Sequence, residues 1–367
     1  MTAINGGTER DRGVRDRLRR RLWSVAEAMA SPRRPEDYLD MFHPLRRGAD
    51  LRGRVVAVRP EAGDAVTVVL RPGAAWRPHV PGQYVRVGLD VDGIRRWRSY
   101  SITSPPVTPD GTIWITARAV PGGIVSAHLA QRLAAGDLVH LDQACGDFVL
   151  PDPTPEKVLF ITGGSGITPV IGMLRSGLHR LRDVVLVHSD ATRADVMFGP
   201  ELRDLAAGGR IRLVEKHTER AGRLAMDELQ ALVPDLIERE SWACGPAGLL
   251  DDIESYWEDL ESGHRLHTER FRTKLAAPGD GGTVEFASSG TTLECSGSSS
   301  ILDAAEAGGV LMPSGCRMGI CFSCVLPLRE GTVRDLRSGE ITRAAPGDGV
   351  LVQTCISSAA GPCLVDN

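Results

Sequence analysis

The sequence predicts a multidomain protein in which an antiparallel β-barrel, a Rossmann-like α/β domain and a small α+β domain follow a helical N-terminal extension. Short β-rich runs separated by Pro-Gly and Asp-Gly turns fill residues 51–152, and buried strands alternating with helical segments fill 153–272. A cysteine-rich loop lies in 283–367. The Pro-Gly-rich stretch 273–282 is predicted to be a flexible linker. A chain of 367 residues is long enough for this number of domains.

Residues 1–50 form the predicted helical extension. Apolar side chains recur there at spacings of three and four on an arginine-rich background: Val14, Leu18, Leu22, Val25 and Met29. A basic amphipathic helix of this kind lies on a membrane surface in some proteins and packs on its own protein in others. The sequence leaves both interpretations open, so peripheral membrane association is one expectation.

The three domains are predicted from their strand patterns. The barrel has four β-rich runs with turn residues between them: 54–58, 65–70, 84–87 and 112–116. The α/β domain has four buried runs that suggest a parallel sheet: 158–162, 184–188, 211–214 and 241–244. The last domain has a hairpin-like pair and a short helix before the cysteine loop: 283–286, 291–294 and 301–307.

Composition excludes some functions. The formal net charge of -4 gives the whole chain no electrostatic footprint for nucleic acid. No run approaches 18 apolar residues and the first twelve residues lack a hydrophobic region, so we expect a cytoplasmic protein. We also expect a monomer. Residues 281–367 contain nine acidic and five basic side chains. This acidic segment predicts docking onto a basic partner surface, with a merely soluble surface as the alternative.

Four cysteines carry the strongest chemical signal. Their spacing is C-x4-C-x2-C with a distant fourth member: Cys316, Cys321, Cys324 and Cys355. This is the ligand spacing of plant-type [2Fe-2S] clusters, and soft thiolates suit iron-sulfur centres. Gly315 and Gly319 let the backbone wrap closely around such a cluster. A four-cysteine zinc site is the alternative, although zinc ribbons normally supply two separated C-x2-C pairs. The loop resembles that of ferredoxins, with Phe322 where plant ferredoxins carry a small residue.

The predicted barrel contains two candidate flavin-binding elements. The first reads Arg98, Ser99, Tyr100 and Ser101. Arginine offers a planar fork for phosphate, tyrosine an aromatic face for a flavin ring, and serine a hydroxyl for a ring nitrogen. The second is a glycine turn before a helix predicted over 127–133, and it comprises Gly122, Gly123, Ile124, Val125 and Ser126. A helix N-terminus binds phosphate, so this turn is predicted to hold the FAD pyrophosphate, with Arg118 as an additional contact. The first element resembles the RxYS motif of the ferredoxin-NADP reductase family, and the glycine turn resembles a second element of that family.

The α/β domain contains a second glycine loop, directly after its first strand. Its candidate residues are Thr162, Gly163, Gly164, Gly166 and Thr168. A tight turn, close backbone approach and a proline in the first helical turn describe a pyrophosphate-binding junction. The loop resembles the GGxGxxP element of the same family. Cys244, Gly245 and Pro246 resemble its CGP element, which borders the nicotinamide; a small buried apolar role is the alternative for the cysteine.

The choice of coenzyme depends on cations near a ribose 2'-phosphate. Arg193 follows the second strand together with Asp190, and Arg220 and Arg223 follow the third. We expect NADPH, with NADH as the alternative. Phe271 ends this domain where relatives place an aromatic or acidic residue near the flavin; anchoring the linker is its alternative role.

The motifs, taken in order, resemble a ferredoxin-NADP reductase-type flavoprotein fused to a C-terminal plant-type ferredoxin, as in the phthalate dioxygenase reductase, phenylacetyl-CoA epoxidase reductase and acyl-CoA desaturase reductase groups. The resemblance implies an FAD-binding barrel, a Rossmann-like NAD(P) domain and a β-grasp [2Fe-2S] domain. It implies a reductase that takes a hydride from NADPH or NADH and releases single electrons through the cluster. Ser101, Tyr100 and Cys244 are the candidates that flank the hydride path.

The electron acceptor is predicted from the extension. Residues 35–39 and 43–45 resemble the extension of actinobacterial reductases that serve membrane acyl-CoA desaturases. We therefore expect a desaturase as the acceptor, and a Rieske oxygenase, a cytochrome P450 or a hybrid-cluster protein as alternatives. A zinc-stabilised binding protein without redox function is the alternative from another class.

Overall fold

The computed structural model describes residues 35–91, 94–119, 123–271, 278–315, 317, 319 and 322–367. Helix α1 (Pro35–Phe42) belongs to the predicted extension, whose apolar stripe lies outside the described residues. The segment after α1 attaches to the first domain, because the Ala74 amide donates to the Leu45 carbonyl oxygen at 2.9 Å. In the described part of the chain, no helix is long and apolar enough to cross a membrane.

The first domain is the predicted antiparallel barrel. Its elements are β1 (Arg52–Pro60), β2 (Ala65–Pro72), β3 (Tyr84–Val91), β4 (Ile94–Ser101), β5 (Ile113–Arg118), α2 (Ile124–Gln131) and β6 (Leu138–Leu141). The strand order is β4-β3-β6-β1-β2-β5, and all its pairs are antiparallel. A bridge between Ile102 and Ile115 joins the two edges of the sheet. Both side chains are fully buried, so the closed sheet encloses one apolar core.

Helix α2 begins earlier than the sequence pattern predicted. It starts at Ile124 and ends at Gln131, whereas the prediction was 127–133. The reason is that Gly123 adopts an extended conformation at the N-cap and its carbonyl oxygen already accepts from the Ala127 amide at 3.0 Å. Val125 therefore lies in the first turn, where it is buried in the barrel core.

The second domain is the predicted parallel α/β sheet. Its elements are β7 (Lys157–Gly163), a 3-10 turn (Gly164–Gly166), α3 (Ile167–Gly177), β8 (Asp183–Asp190), α4 (Gly199–Ala207), β9 (Arg212–His217), α5 (Thr218–Ala221), α6 (Met226–Leu232), 3-10 turns at Leu236–Glu238 and Gly263–Arg265, β10 (Glu240–Cys244), α7 (Ala247–Asp259) and β11 (Leu266–Glu269). The order is β11-β10-β7-β8-β9 with parallel pairs throughout. The strand order reverses beside β7, and ligands of such sheets bind at this switch point.

Both faces of the parallel sheet are buried, which explains its continuous apolar strands. Phe160 and Trp242 pack on one face with α3 and α4, and Leu159 and Ala243 pack on the other face with α6 and α7. The first face also contacts the barrel. The Trp242 ring N–H donates to the Val149 carbonyl oxygen at 3.2 Å.

The third domain contains a mixed six-stranded sheet with one packed helix. Its elements are β12 (Gly282–Phe286), β13 (Thr291–Cys295), α8 (Ile301–Ala307), β14 (Val325–Asp335), β15 (Ile341–Ala344), β16 (Leu351–Gln353) and β17 (Ser357–Val365). The strand order is β13-β12-β17-β14-β15, with β16 paired to β14. Gly282, predicted as linker, is the first residue of β12 and pairs with Cys295. The predicted multidomain class is confirmed.

Candidate redox site

A cleft lies at the carboxyl ends of β7, β8 and β10. It is a cavity of about 410 Å³ lined by Arg118, Gly163, Gly164, Ser189, Asp190, Ala191, Thr218, Arg223, Leu224, Pro246, Gly248, Leu249 and Asp252. These residues come from strand ends and the loops after them, which is where an open parallel sheet binds a dinucleotide. The cavity therefore contains parts of both predicted NAD(P) motifs, the second glycine loop and the Cys-Gly-Pro segment.

The two motifs contact each other through glycine backbone. A Cβ atom on Gly166 would lie 2.0 Å from the Cys244 carbonyl oxygen, and one on Gly163 would lie 2.8 Å from the Pro246 ring. No larger residue fits at either position without displacing the partner loop. Glycine at these positions lets the second glycine loop pack against the Cys-Gly-Pro segment. The N-terminus of helix α3 is left pointing at the cavity, a geometry that suits a pyrophosphate.

A network of polar side chains supports this cleft. The Thr162 hydroxyl and His188 Nδ1 lie 2.8 Å apart, and His188 Nε2 lies 3.7 Å from Asp190 Oδ2. Arg118 Nη2 lies 3.1 Å from the same carboxylate. Burial acts to raise the pKa of Asp190, but hydrogen bonds from His188 and Arg118 outweigh it and lower the pKa to about 2. The Asp190 charge is therefore largely neutralised by its neighbours.

The structure gives contacts for two of the predicted arginines, whose roles toward a cofactor stay predictions. Arg118, predicted beside the flavin pyrophosphate, lines the dinucleotide cavity and donates to the Asp195 carbonyl oxygen at 2.6 Å. Arg193, predicted beside the coenzyme ribose, has a side chain 67% exposed and faces Glu215 at 3.5 Å outside the cavity. Arg223, which follows the third strand, lines the cavity instead.

A second, smaller cavity of about 90 Å³ lies between the barrel and the end of the α/β domain. It is lined by Tyr84, Arg98, Ser99, Ser101, Glu269, Arg270 and Phe271. Four side-chain atoms of its lining residues are buried without a hydrogen-bond partner: Ser99 Oγ, Ser101 Oγ, Glu269 Oε2 and Arg270 Nη1. Buried polar atoms normally have partners, so unsatisfied atoms around one cavity fit a polar ligand such as a flavin ring.

The other members of the first flavin motif take different positions. Arg98 donates to the Trp97 carbonyl oxygen at 2.7 Å, and burial, followed by the nearby Arg317 charge, lowers the pKa of its guanidinium. A phosphate would relieve both effects. Tyr100 packs against the apolar core of the barrel, where burial raises the pKa of its phenol, and Tyr84 lines the cavity. The predicted stacking of Tyr100 on the flavin stays a prediction.

The second flavin element surrounds the start of α2. Gly122 lies outside the described residues, and Gly123 is the N-cap. Ile124 is half exposed, and the Ser126 hydroxyl donates to the Gly123 carbonyl oxygen at 3.3 Å. The first amides of a helix lack intrahelical acceptors, so this N-terminus retains donors for a phosphate.

Glu269 is a site residue that the sequence prediction missed. It ends β11 and is the Cα partner of Cys244 at the end of β10. Burial raises the pKa of the Glu269 carboxyl to about 8, and burial together with the Glu269 charge raises the pKa of the Cys244 thiol. A carboxyl that is protonated at neutral pH beside a neutral thiol is a local proton reservoir. The sequence offered one signal for this role: Glu269 lies two residues before Phe271, in a segment where an acidic or aromatic residue was expected near the flavin.

The described half of the cysteine cluster is assembled. Cys324 Sγ and Cys355 Sγ lie 3.1 Å apart, both buried in an apolar environment with Leu302 and Ile356. Two thiolates this close can bind one iron, since a tetrahedral centre with bonds of about 2.3 Å holds its sulfurs about 3.7 Å apart. Cys316 and Cys321 lie outside the described residues.

The backbone of the cysteine loop is strongly curved. Arg317, Gly319 and Phe322 all have positive φ angles, of 59°, 74° and 56°. Left-handed residues of this kind occur where successive amides turn toward a common anionic centre, as in many iron-sulfur sites. The loop also meets the barrel: Arg86 Nη1 donates to Ser323 Oγ at 3.1 Å. The flavin cavity and the cysteine loop therefore lie on connected parts of the structure.

Family models match three successive segments of this chain. Residues 78–150 match an oxidoreductase FAD-binding domain, 160–255 an oxidoreductase NAD-binding domain, and 284–360 a 2Fe-2S iron-sulfur cluster binding domain. The cofactor prediction of FAD, NAD(P) and [2Fe-2S] is confirmed by these matches. They favour iron-sulfur over the zinc alternative.

Relatives with the same arrangement include an NADPH oxidoreductase of Mycobacterium tuberculosis, 46% identical over 352 residues that cover 94% of this chain and 92% of the relative. A glycine betaine monooxygenase reductase subunit of Pseudomonas aeruginosa is 31% identical over 322 residues, covering 78% of this chain and 86% of the relative. The fold resembles that of phthalate dioxygenase reductase, with a TM-score of 0.60, 21% identity and coverage of 86% of this chain and 97% of the other.

Proposed function

Since this chain belongs to the ferredoxin-NADP reductase-type flavoproteins that carry a C-terminal [2Fe-2S] domain, we propose that it passes electrons from NADPH to an oxygen-activating metalloenzyme. It is an NAD(P)H-dependent oxidoreductase that uses FAD and a [2Fe-2S] cluster. When bound, the flavin takes two electrons as a hydride from the coenzyme and gives them singly to the cluster.

The observation that carries the proposal is the order of the sites in space. The dinucleotide cavity ends at the Cys-Gly-Pro segment, and Cys244 there is the strand partner of Glu269, which lines the flavin cavity. On the far side, strand β3 supplies Arg86, which contacts the cysteine loop. These contacts support an order of coenzyme, flavin and cluster sites along the molecule, which is what a linear electron path requires.

Residues of this chain would orient the pyrophosphate and the ring of the flavin and would hold a proton beside the flavin cavity. Arg98 supplies a charge-assisted contact for the pyrophosphate, and the hydroxyls of Ser99 and Ser101 supply unused hydrogen bonds for the ring. Glu269 holds a proton on its carboxyl beside the flavin cavity at neutral pH. Phe271, 38% exposed, covers the cavity edge.

NADPH is the coenzyme that the cavity favours. Asp190 stands where an acid would bind the ribose 2'-hydroxyl of NADH, but its carboxylate is already held by Arg118. Arg223 reaches the same cavity and supplies a cation for a 2'-phosphate. The Mycobacterium tuberculosis relative named as an NADPH oxidoreductase supports this choice.

Coenzyme choice is tested with Arg223→Ala. Loss of a charge-assisted phosphate contact costs about 1.5 to 3 kcal/mol, so KM for NADPH should rise about 10-fold to 100-fold while KM for NADH stays the same. Arg220→Ala is the matched control, because Arg220 is exposed on α5 and does not line the cavity. Equal effects of Arg223→Ala on both coenzymes would contradict the NADPH assignment and leave the reductase activity established.

For the acceptor, we propose a membrane acyl-CoA desaturase within the class of oxygen-activating enzymes. Relatives include a glycine betaine monooxygenase reductase subunit and the ferredoxin reductase component of a 3-ketosteroid-9-alpha-monooxygenase. The narrower choice rests on the resemblance of residues 35–39 and 43–45 to the extension of desaturase reductases. The 46% identical relative covers all but about 22 residues of this chain, so its match includes most of residues 1–50. The betaine reductase covers only 78%.

Reconstitution tests the acceptor. The full chain, NADPH, a membrane-bound desaturase and a long-chain acyl-CoA should give desaturation that falls as salt is raised, because surface charges are screened within about 8 to 10 Å near physiological ionic strength. A chain lacking residues 1–48 should reduce dyes normally but couple weakly to the membrane enzyme. Efficient reduction of a Rieske oxygenase or cytochrome P450, with no desaturation at any salt concentration, would replace the proposed acceptor.

A further inference from the structure

We propose that Arg86 is a positioning residue that holds the cluster loop against the flavin domain and thereby sets the rate of electron transfer from flavin to cluster. The inference rests on the reductase function stated above. Its central contact is the hydrogen bond of 3.1 Å from Arg86 Nη1 to Ser323 Oγ. Ser323 lies in the cluster loop directly before the ligand Cys324, so the bond acts one residue from the cluster.

Arg86 is held firmly on the barrel side. Its Nη1 lies 3.1 Å from Asp142 Oδ2, and its guanidinium carbon lies 5.1 Å from the centre of the Trp97 ring. The side chain is only 14% exposed. An arginine fixed by a carboxylate and an aromatic face loses little further freedom when it binds a third group. It can therefore hold the Ser323 loop in one position.

The backbone of Arg86 also lies next to the flavin site. In the β3–β4 ladder its Cα partner is Ser99, whose unpaired hydroxyl lines the flavin cavity. A single residue therefore links the strand that carries the flavin motif with the loop that carries a cluster ligand. We infer that this link keeps the two redox sites at a fixed separation.

A second contact between these domains involves the helix that precedes the cluster loop. Arg96 Nη1 lies 3.6 Å from Glu306 Oε2, and Glu306 belongs to helix α8. Glu306 also pairs with Arg317. Through Arg317 this ion pair acts at the start of the cluster loop, whereas the Arg86 bond acts at its end, beside Cys324. The two contacts can therefore be separated by mutation.

The experiment compares four variants of the full chain carrying both cofactors: Arg86→Ala, Arg86→Lys, Ser323→Ala and the double alanine variant. Arg95→Ala is the matched control, because the Arg95 side chain is 46% exposed and pairs with Asp90 of the same barrel domain. Flavin and iron contents are measured first. Stopped-flow absorbance then follows flavin reduction by NADPH and cluster reduction as separate phases. Hydrogen-deuterium exchange of the peptide from residue 322 to 328 reports the loop independently of activity.

Arg86→Ala should slow cluster reduction several-fold, because the rate of electron transfer falls steeply as the separation of the two redox sites increases. Flavin reduction should stay at the wild-type rate, and exchange at residues 322–328 should rise. Ser323→Ala should reproduce the effect, the double variant should add nothing to it, and Arg86→Lys should restore part of the rate, because a charged donor remains.

Cluster reduction at the wild-type rate in Arg86→Ala with full cofactor content would overturn the proposal, as would additive effects of the two alanine substitutions. An equal slowing of both phases would also overturn it, since it would show a general structural effect. None of these results would contradict the proposed reductase function. That proposal would be contradicted only if NADPH reduced no flavin in the wild-type chain.

Discussion

Glu269 provides a sharp test of the site geometry, because its protonation state follows from burial. Its Oε2 atom is buried without a hydrogen-bond partner, and burial raises the pKa of the carboxyl from 4.5 to about 8. Glu269→Gln keeps the size and shape of the side chain and removes the titration. The variant therefore isolates the effect of the buried acid.

The sign of the effect follows from proton linkage. Between pH 4.5 and about 8 the folded chain keeps a proton on Glu269 that the unfolded chain has lost. The stability that this protonated acid contributes is complete below pH 4.5 and is lost as pH rises through about 8. In that window the free energy of unfolding should fall by about 1.4 kcal/mol per pH unit because of this group. Glu269→Gln should remove this part of the slope.

The assay has two parts. Difference infrared spectra of wild type minus Glu269→Gln should show a neutral carboxyl band that disappears with a midpoint near pH 8. Urea unfolding of the α/β domain, between pH 5.5 and 8, should give a shallower pH dependence for the variant. Glu254→Gln is the matched control, because the Glu254 side-chain oxygens accept hydrogen bonds from Thr268 and Arg270. A carboxyl band that vanishes below pH 6, or equal pH slopes for wild type and Glu269→Gln, would refute the reasoning.

Three further predictions concern the cofactor sites. Arg98→Ala should purify largely without flavin, since a charge-assisted contact contributes about 1.5 to 3 kcal/mol, and full FAD occupancy by absorbance would contradict its assignment. Gly166→Ala places a Cβ 2.0 Å from a backbone oxygen and should weaken NADPH binding in titrations at least about tenfold. Gly263→Ala is the control, because a Cβ there has nothing within 4 Å and Gly263 does not line the cavity. Cys355→Ser should abolish the [2Fe-2S] spectrum while NADPH still reduces two-electron dyes. Cys295→Ser, which changes a cysteine away from the loop, should keep the [2Fe-2S] spectrum. Loss of dye reduction in a folded Cys355→Ser protein would contradict the assignment of separate flavin and cluster sites.

Local sequence patterns were sufficient for the order of the domains and for most elements. Helix α8 runs from Ile301 to Ala307 as predicted, because its apolar spacing and its Ser300 cap are both local. The glycine loops could be identified because backbone turns and close approaches restrict the residue type at each position. The start of α2 could not be predicted from the sequence, because it depends on the backbone conformation of the N-cap residue Gly123. The predicted domain boundaries and cofactor contacts stay predictions.

The sequence by itself determined the chemistry of this protein, because the glycine loops, the arginine-serine-tyrosine-serine run and three of the four cluster cysteines each lie within one short segment. Only the tertiary structure decided which side chains share a cavity. Arg118 and Arg223, far apart in the chain, line one cleft, and Arg86 meets Ser323 across two domains. Glu269 is perturbed because packing removes water from around it. Contacts and burial of this kind depend on how distant segments pack, and no local pattern of residues encodes them.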